Sequence, residues 1–186
     1  SVTDEVREKL RRLLEELREV VKRVEDISRK THEETKRVVE KVKRILEKLK
    51  REIEEVIREL GKDDRLRKVV ERVEREARRV LKELEEAVKR SMKKNEKALR
   101  DLRRVAKKVV DALRKILKEV AERLKDRKED LERLRRDVER VIREIEKLLR
   151  DVEEKVKETI KTDEDLLRRV KEDVERVLEE IDRRLK

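Results

Sequence analysis

His32 is the only histidine in the chain, and a histidine, an acid and a serine are the side chains of a hydrolytic triad. His32, Asp163 and either Ser28 or Ser91 supply those types. No nucleophile elbow or oxyanion loop accompanies them, and an all-helical chain offers no cleft, so no catalytic residue is assigned. His32 with Asp163 could also begin a metal site. Zinc needs three or four ligands, however, and the chain has no second histidine and no cysteine. No metal and no cofactor are therefore expected. What remains is hydrogen-bonding chemistry: Ser28, Thr31, His32, Thr35, Ser91, Asn95, Thr159, Thr162 and Asp163 together offer both donors and acceptors, enough for a closed polar network. Thr, Ser and Asn are shorter than the Leu they replace, so a small-molecule cavity at the same place is an alternative.

A single register gathers these residues. Pairing residue i with 126 minus i sets the apolar line Val6, Leu10, Leu13, Leu17, Val20, Val24 against Val120, Ile116, Leu113, Val109, Ala106, Leu102. Adding 132 to i instead gives Val138, Ile142, Ile145, Leu149, Val152, Val156. Three equal helices running up, down and up would need both relations. The same operations put Thr31 level with Asn95 and Asp163, Thr35 level with Ser91 and Leu167, and Thr159 level with Ile27 and Leu99. Ser28, His32 and Thr162 fall on neighbouring faces within one turn. A polar layer is thus expected at mid-height of an aliphatic bundle, where buried polar groups need partners and can fix which layer meets which. Asp163 facing solvent is the simpler alternative, and Met92 beside the layer reads as a gap-filler.

The apolar line runs from Val6 to Leu60 in fifteen steps, about 3.6 residues each, which predicts nearly straight helices rather than the supercoil of a strict heptad. Thr3, followed by Asp4 and Glu5, is a suitable N-cap. Gly61 then provides a C′ residue and Asp63 or Asp64 the next cap. The second turn has neither glycine nor proline. It is placed at the six charged residues from Lys125 to Asp130, where Asp126 and Glu129 have capping-box spacing and Asp130 is an alternative cap. Thr31 to Glu34, Asn95-Glu96 and Thr162 to Asp165 resemble helix starts, yet Ile27 to Val38, Val88 to Leu99 and Val156 to Leu167 each span eleven residues, close to three whole turns. The apolar face resumes in phase, so these stretches stay helical. The expected fold is all-α: a straight, antiparallel, up-down-up three-helix bundle, coiled-coil-like, with helices at roughly 2–60, 63–125 and 129–186, forming a single elongated domain over 1–186.

Composition agrees with that expectation. Of 186 residues, 60% are charged and 34% apolar, with no aromatic, proline or cysteine. Disordered tracts of such charge lack a repeating apolar stripe, which this chain has throughout. No run of about 18 apolar residues and no short apolar signal segment is present, so a soluble protein with no membrane span is expected. Localisation is left open. Lysine and arginine exceed the acids by eleven. Basic triplets are broken by acids within a few residues, and the excess reads as diffuse, with no specific nucleic-acid site and only weak phosphate attraction. No partner is required. A monomer is the leading expectation, and a homo-oligomer assembled from hairpins or whole bundles is the alternative.

Equal helices, a Glu/Lys/Arg surface, a Leu/Val/Ile core and one isolated polar layer together resemble the de novo designed helical bundles, of the parametric kind with a built-in hydrogen-bond network. The resemblance covers the whole chain and departs from common design practice at the second turn, which lacks glycine. It implies a structural scaffold, or a test of a buried polar network, with no natural substrate. An amphipathic helical protein that opens onto lipid or an acidic partner is a second reading, although such proteins usually carry aromatics and proline punctuation.

Overall fold

Leu, Val and Ile at helical spacing, strong helix formers between them and no proline anywhere leave the backbone little alternative to helix. In a computed structural model describing residues 2–60 and 64–185, the chain forms α1 (Val2–Leu60), α2 (Asp64–Arg123) and α3 (Lys128–Leu185). No strand occurs among the described residues. The fold is the expected three-helix bundle, and the polar stretches around Thr31, Asn95 and Thr162 stay helical.

The helix ends refine the expected caps. α1 is already helical at Val2, so Thr3 lies within it, with Asp4 and Glu5 in the first turn where negative charge suits the dipole. The side chains of Thr3 and Asp64, and all of Gly61 and Asp63, lie outside the described residues. At the second turn the backbone N–H of Arg127 donates to Leu124 O at 2.9 Å, and Arg127 O accepts from Leu131 N–H at 3.0 Å, opening α3. Arg127 therefore holds the N-cap position, not Asp126 or Asp130. Asp126 stands one residue too early, and Glu129 and Asp130 enter the first turn of α3, where their charge favours the helix without capping it.

Contacts divide the chain into two compact units, Ser1–Ser28 with Lys94–Glu158, and Arg29–Lys93 with Thr159–Lys186. In the first unit, Lys108 Nζ lies 3.4 Å from Glu16 Oε1, joining α2 to α1, and Arg103 Nε lies 2.5 Å from Glu153 Oε1, joining α2 to α3. In the second, Lys41 pairs with Glu83 at 3.1 Å, Arg90 with Glu34 at 3.7 Å, and Arg72 with Glu52. The residue numbers of all four α1–α2 pairs add to 124, a constant sum that only antiparallel helices produce. Arg184 meets Glu54 at 3.9 Å and His32 meets Asp163, with number differences of 130 and 131, which is parallel pairing of α1 and α3. Up-down-up is thus written into the ion pairs.

The α1–α2 sum is two less than the 126 expected. Leu60 and Asp64, the two helix ends, also add to 124. The register of the pairs is thus the one that the facing ends of α1 and α2 share. These pairs are exposed and each contributes about 0–1 kcal/mol, so they record the register more than they hold the fold.

Apolar burial holds it. The first unit buries Val24, Leu102, Val109, Leu113, Val138 and Val156, and the second Val42, Val73, Leu84, Val170 and Val174. Each fully buried Leu or Val contributes about 1.5–3 kcal/mol. All alanines of the chain lie in α2, where Ala77, Ala87, Ala98 and Ala106 are buried. Near the start of α1 the stripe is looser, with Val6, Leu10 and Leu13 half-buried before Leu17 closes over.

Candidate functional site

Asp163 stands seven residues, about two helical turns, before Val170 on the inward face of α3, and the stripe periodicity carries its carboxylate into the second unit as it would a valine. The residue is fully buried. Its Oδ1 accepts a hydrogen bond from His32 Nδ1–H on α1 at 2.6 Å, and its Oδ2 accepts one from Ser91 Oγ–H on α2 at 3.2 Å. One carboxylate therefore joins all three helices of this unit, each oxygen engaged by a different one. Ser91 is buried, whereas the His32 side chain keeps 24% of its surface exposed and reaches in from the edge.

The neighbouring threonines are satisfied differently. Thr35, fully buried, donates its hydroxyl to Thr31 O one turn earlier on α1 at 3.1 Å, a local bond that needs nothing from another helix. Thr31 is buried as well. Ser28 and Asn95 belong to the first unit and are both buried. Asn95 is not without a partner, although its Oδ1 accepts no hydrogen bond. Thr159 is half-buried, and Thr162 is exposed. Thr162 precedes Asp163 by one residue, about 100° around the helix, which turns it out of the layer where the sequence had placed it. Met92 and Leu167 pack against the apolar core of the second unit.

The partner of Asp163 on α2 is Ser91, one turn before Asn95 in the sequence of that helix. The sequence signal that could have found this bond is the length of the connections, which fixes the slide of α2 between its neighbours.

The order of bonding decides what this set can do chemically. In a hydrolytic triad the imidazole sits between acid and nucleophile and takes the nucleophile's proton. Here the carboxylate sits in the middle and accepts from both, so His32 is not placed to deprotonate Ser91. Among the described residues no three His, Asp or Glu side chains are grouped to hold a metal ion. No helix among them is long and apolar enough to cross a membrane.

No protein-family model matches the chain, and no curated protein matches it. A solved structure described as a "computationally designed three helix bundle" superimposes with a TM-score of 0.76 at 21% identity, covering 98% of this chain and 91% of that chain. At that identity the likeness shows the fold, and the fold is the three-helix bundle.

Proposed function

We propose that this chain is a designed structural scaffold with no natural biochemical function, monomeric and independent of any cofactor, and that its polar residues serve to fix helix register. The observation that carries this reading is Asp163, buried completely and bonded to one residue from each of the other two helices. A buried carboxylate held in this way adds little net stability over an apolar side chain of similar volume. It does penalise every alternative alignment, because a one-turn slide would strand the charge among Val and Leu side chains. Likeness of fold to a designed bundle, an idealised surface and an aliphatic core support the same reading. The burial of Thr35 and Asp163 supports a structural role over small-molecule binding.

The test compares the parent with His32→Leu/Ser91→Ala/Asp163→Leu by sedimentation and light scattering, with helicity followed by circular dichroism with and without anionic vesicles. A monomeric parent, fully helical without lipid, and a triple variant that is equally or more stable but populates additional species are the expected results. A triple variant that remains one monomeric species with unchanged helix pairing would remove the register role. Parent helicity that develops only with lipid would replace the scaffold with a lipid-binding protein.

A further inference from the structure

Counted helix by helix, the positive charge is not diffuse. α2 carries 22 basic and 12 acidic residues, net +10, whereas α3 carries 17 and 20, net −3. Nearly all of the chain's net +11 therefore rests on one helix. It concentrates further between Lys94 and Lys118, within the first unit, where ten basic residues face three acids, Glu96, Asp101 and Asp111. Lys97, Arg100, Arg104, Lys108, Lys115 and Lys118 recur at helical spacing opposite the buried line of Leu102, Val109 and Leu113, and all six are exposed. At 1.5 Å per residue the stripe is about 31 Å long. Arg104 pairs with Asp101 and Lys108 with Glu16, while Lys97, Arg100, Lys115 and Lys118 have no carboxylate at ion-pair distance among the described residues.

We propose that this stripe is a binding surface for the phosphate backbone of duplex nucleic acid, without regard to sequence. Its length is close to one helical turn of duplex, about 34 Å. Neutralising several phosphates releases counterions and gives affinity with no base contact. The chemistry argues against other polyanions. With no aromatic residue in the chain, unpaired bases have nothing to stack on. The stripe contains no apolar side chain to insert among lipid acyl chains, because the apolar line of α2 is buried in the core.

The experiment is fluorescence anisotropy with a labelled duplex of about two helical turns, using the full chain. The parent is expected to bind at low salt, with affinity falling about 10²–10³-fold between about 50 and 200 mM salt, as four to six phosphate contacts require. The variant K97Q/R100Q/K115Q/K118Q should bind at least about 30-fold more weakly, with a salt slope shallower by about 3.6. R133Q/R136Q/R140Q/R143Q removes the same charge from exposed positions of α3 in the same unit and should stay within about threefold of the parent. The single change Arg100→Gln should reduce the slope by about 0.9 and, lying on the surface, leaves the fold unaltered. Failure of the parent to bind duplex at low salt would overturn the proposal. So would equal losses in the two quadruple variants, which would assign binding to net charge, or binding to phosphatidylserine vesicles without binding to duplex.

Discussion

Replacing Asp163 with alanine removes one side chain and with it every polar link that the second unit makes through this carboxylate. The magnitude follows from the two bonds. The Ser91 bond is buried but long at 3.2 Å, and a net value near the lower end of the usual range, about 0.5–1 kcal/mol, is appropriate. The His32 bond is short at 2.6 Å and made to a carboxylate, which would suggest about 1.5–3 kcal/mol. His32 is a quarter exposed, however, so water can take over its Nδ1–H when the acceptor is lost, and about 1–2 kcal/mol is the better figure. Removing the carboxylate also relieves its desolvation, which offsets part of the loss. The net expectation is a destabilisation of about 1–3 kcal/mol for Asp163→Ala. Asp163→Asn keeps an oxygen for His32 and turns an amide toward the Ser91 hydroxyl, so it should lose only about 1 kcal/mol. Equilibrium urea unfolding of the parent, Asp163→Ala, His32→Ala and the double variant gives a cycle whose coupling energy should be about 1–2 kcal/mol. A coupling below about 0.3 kcal/mol, with Asp163→Ala as stable as the parent, would mean that the bond contributes nothing to the folded state.

Three further expectations concern the frame around this site. Leu102 is 1% exposed, and Leu102→Ala should destabilise by about 2–5 kcal/mol in the same unfolding assay, whereas exposed Lys115→Ala should change stability by less than about 0.5 kcal/mol. Similar losses at the two positions would mean that the stripe is not the core. Arg127 occupies a cap position with a side chain that cannot accept a hydrogen bond, so Arg127→Ser should raise the denaturation midpoint by the equivalent of about 0.5–1 kcal/mol, and a lowered midpoint would contradict the assigned start of α3. Cysteines at positions 41 and 83, whose native side chains pair, should crosslink rapidly within one chain, while cysteines at 41 and 90, about two turns further along α2, should not. Efficient crosslinking of the second pair would disprove the register.

The helices and their boundaries were legible because the apolar stripe never loses phase, from Val6 through Leu60 and again in α2 and α3. The stripe also carried Asp163, Thr35 and Ser91 inward in company with valine and leucine. Periodicity measures angle around a helix far better than height along it, so it did not single out Ser91, one turn from Asn95, as the partner of Asp163. Height is set by the connections, whose length does not appear in the phase of the stripe. Arg127 shows the same limit from another side: capping preferences favour the aspartates beside it, and the backbone bonds place the arginine at the cap. The concentration of charge on α2 was present in the sequence throughout. It emerges only when residues are counted by helix, because each basic triplet has an acid within a few positions.

The constant sum and the constant difference that relate the helices also bear on how the chain folds. Pairs between α1 and α2 are separated by 20 residues at Glu52 and Arg72, 42 at Lys41 and Glu83, and 92 at Glu16 and Lys108. Closing the first of these loops is cheap in entropy, and each pair formed shortens the free chain for the next, so the hairpin can zip outward from its connection. Contacts between α2 and α3 span 50 and 72 residues, and they can grow from the second connection in the same way. Parallel pairing of α1 with α3 has no such gradient: its separation is 131 residues at His32 and Asp163 and 130 at Glu54 and Arg184. Direct closure at that distance requires about 1.7 kcal/mol more loop entropy than closure over 20 residues. The α1–α3 contact, and with it the His32 to Asp163 bond, should therefore form last, after α2 has drawn its two neighbours together, and its loss should accelerate unfolding while leaving the folding rate almost unchanged.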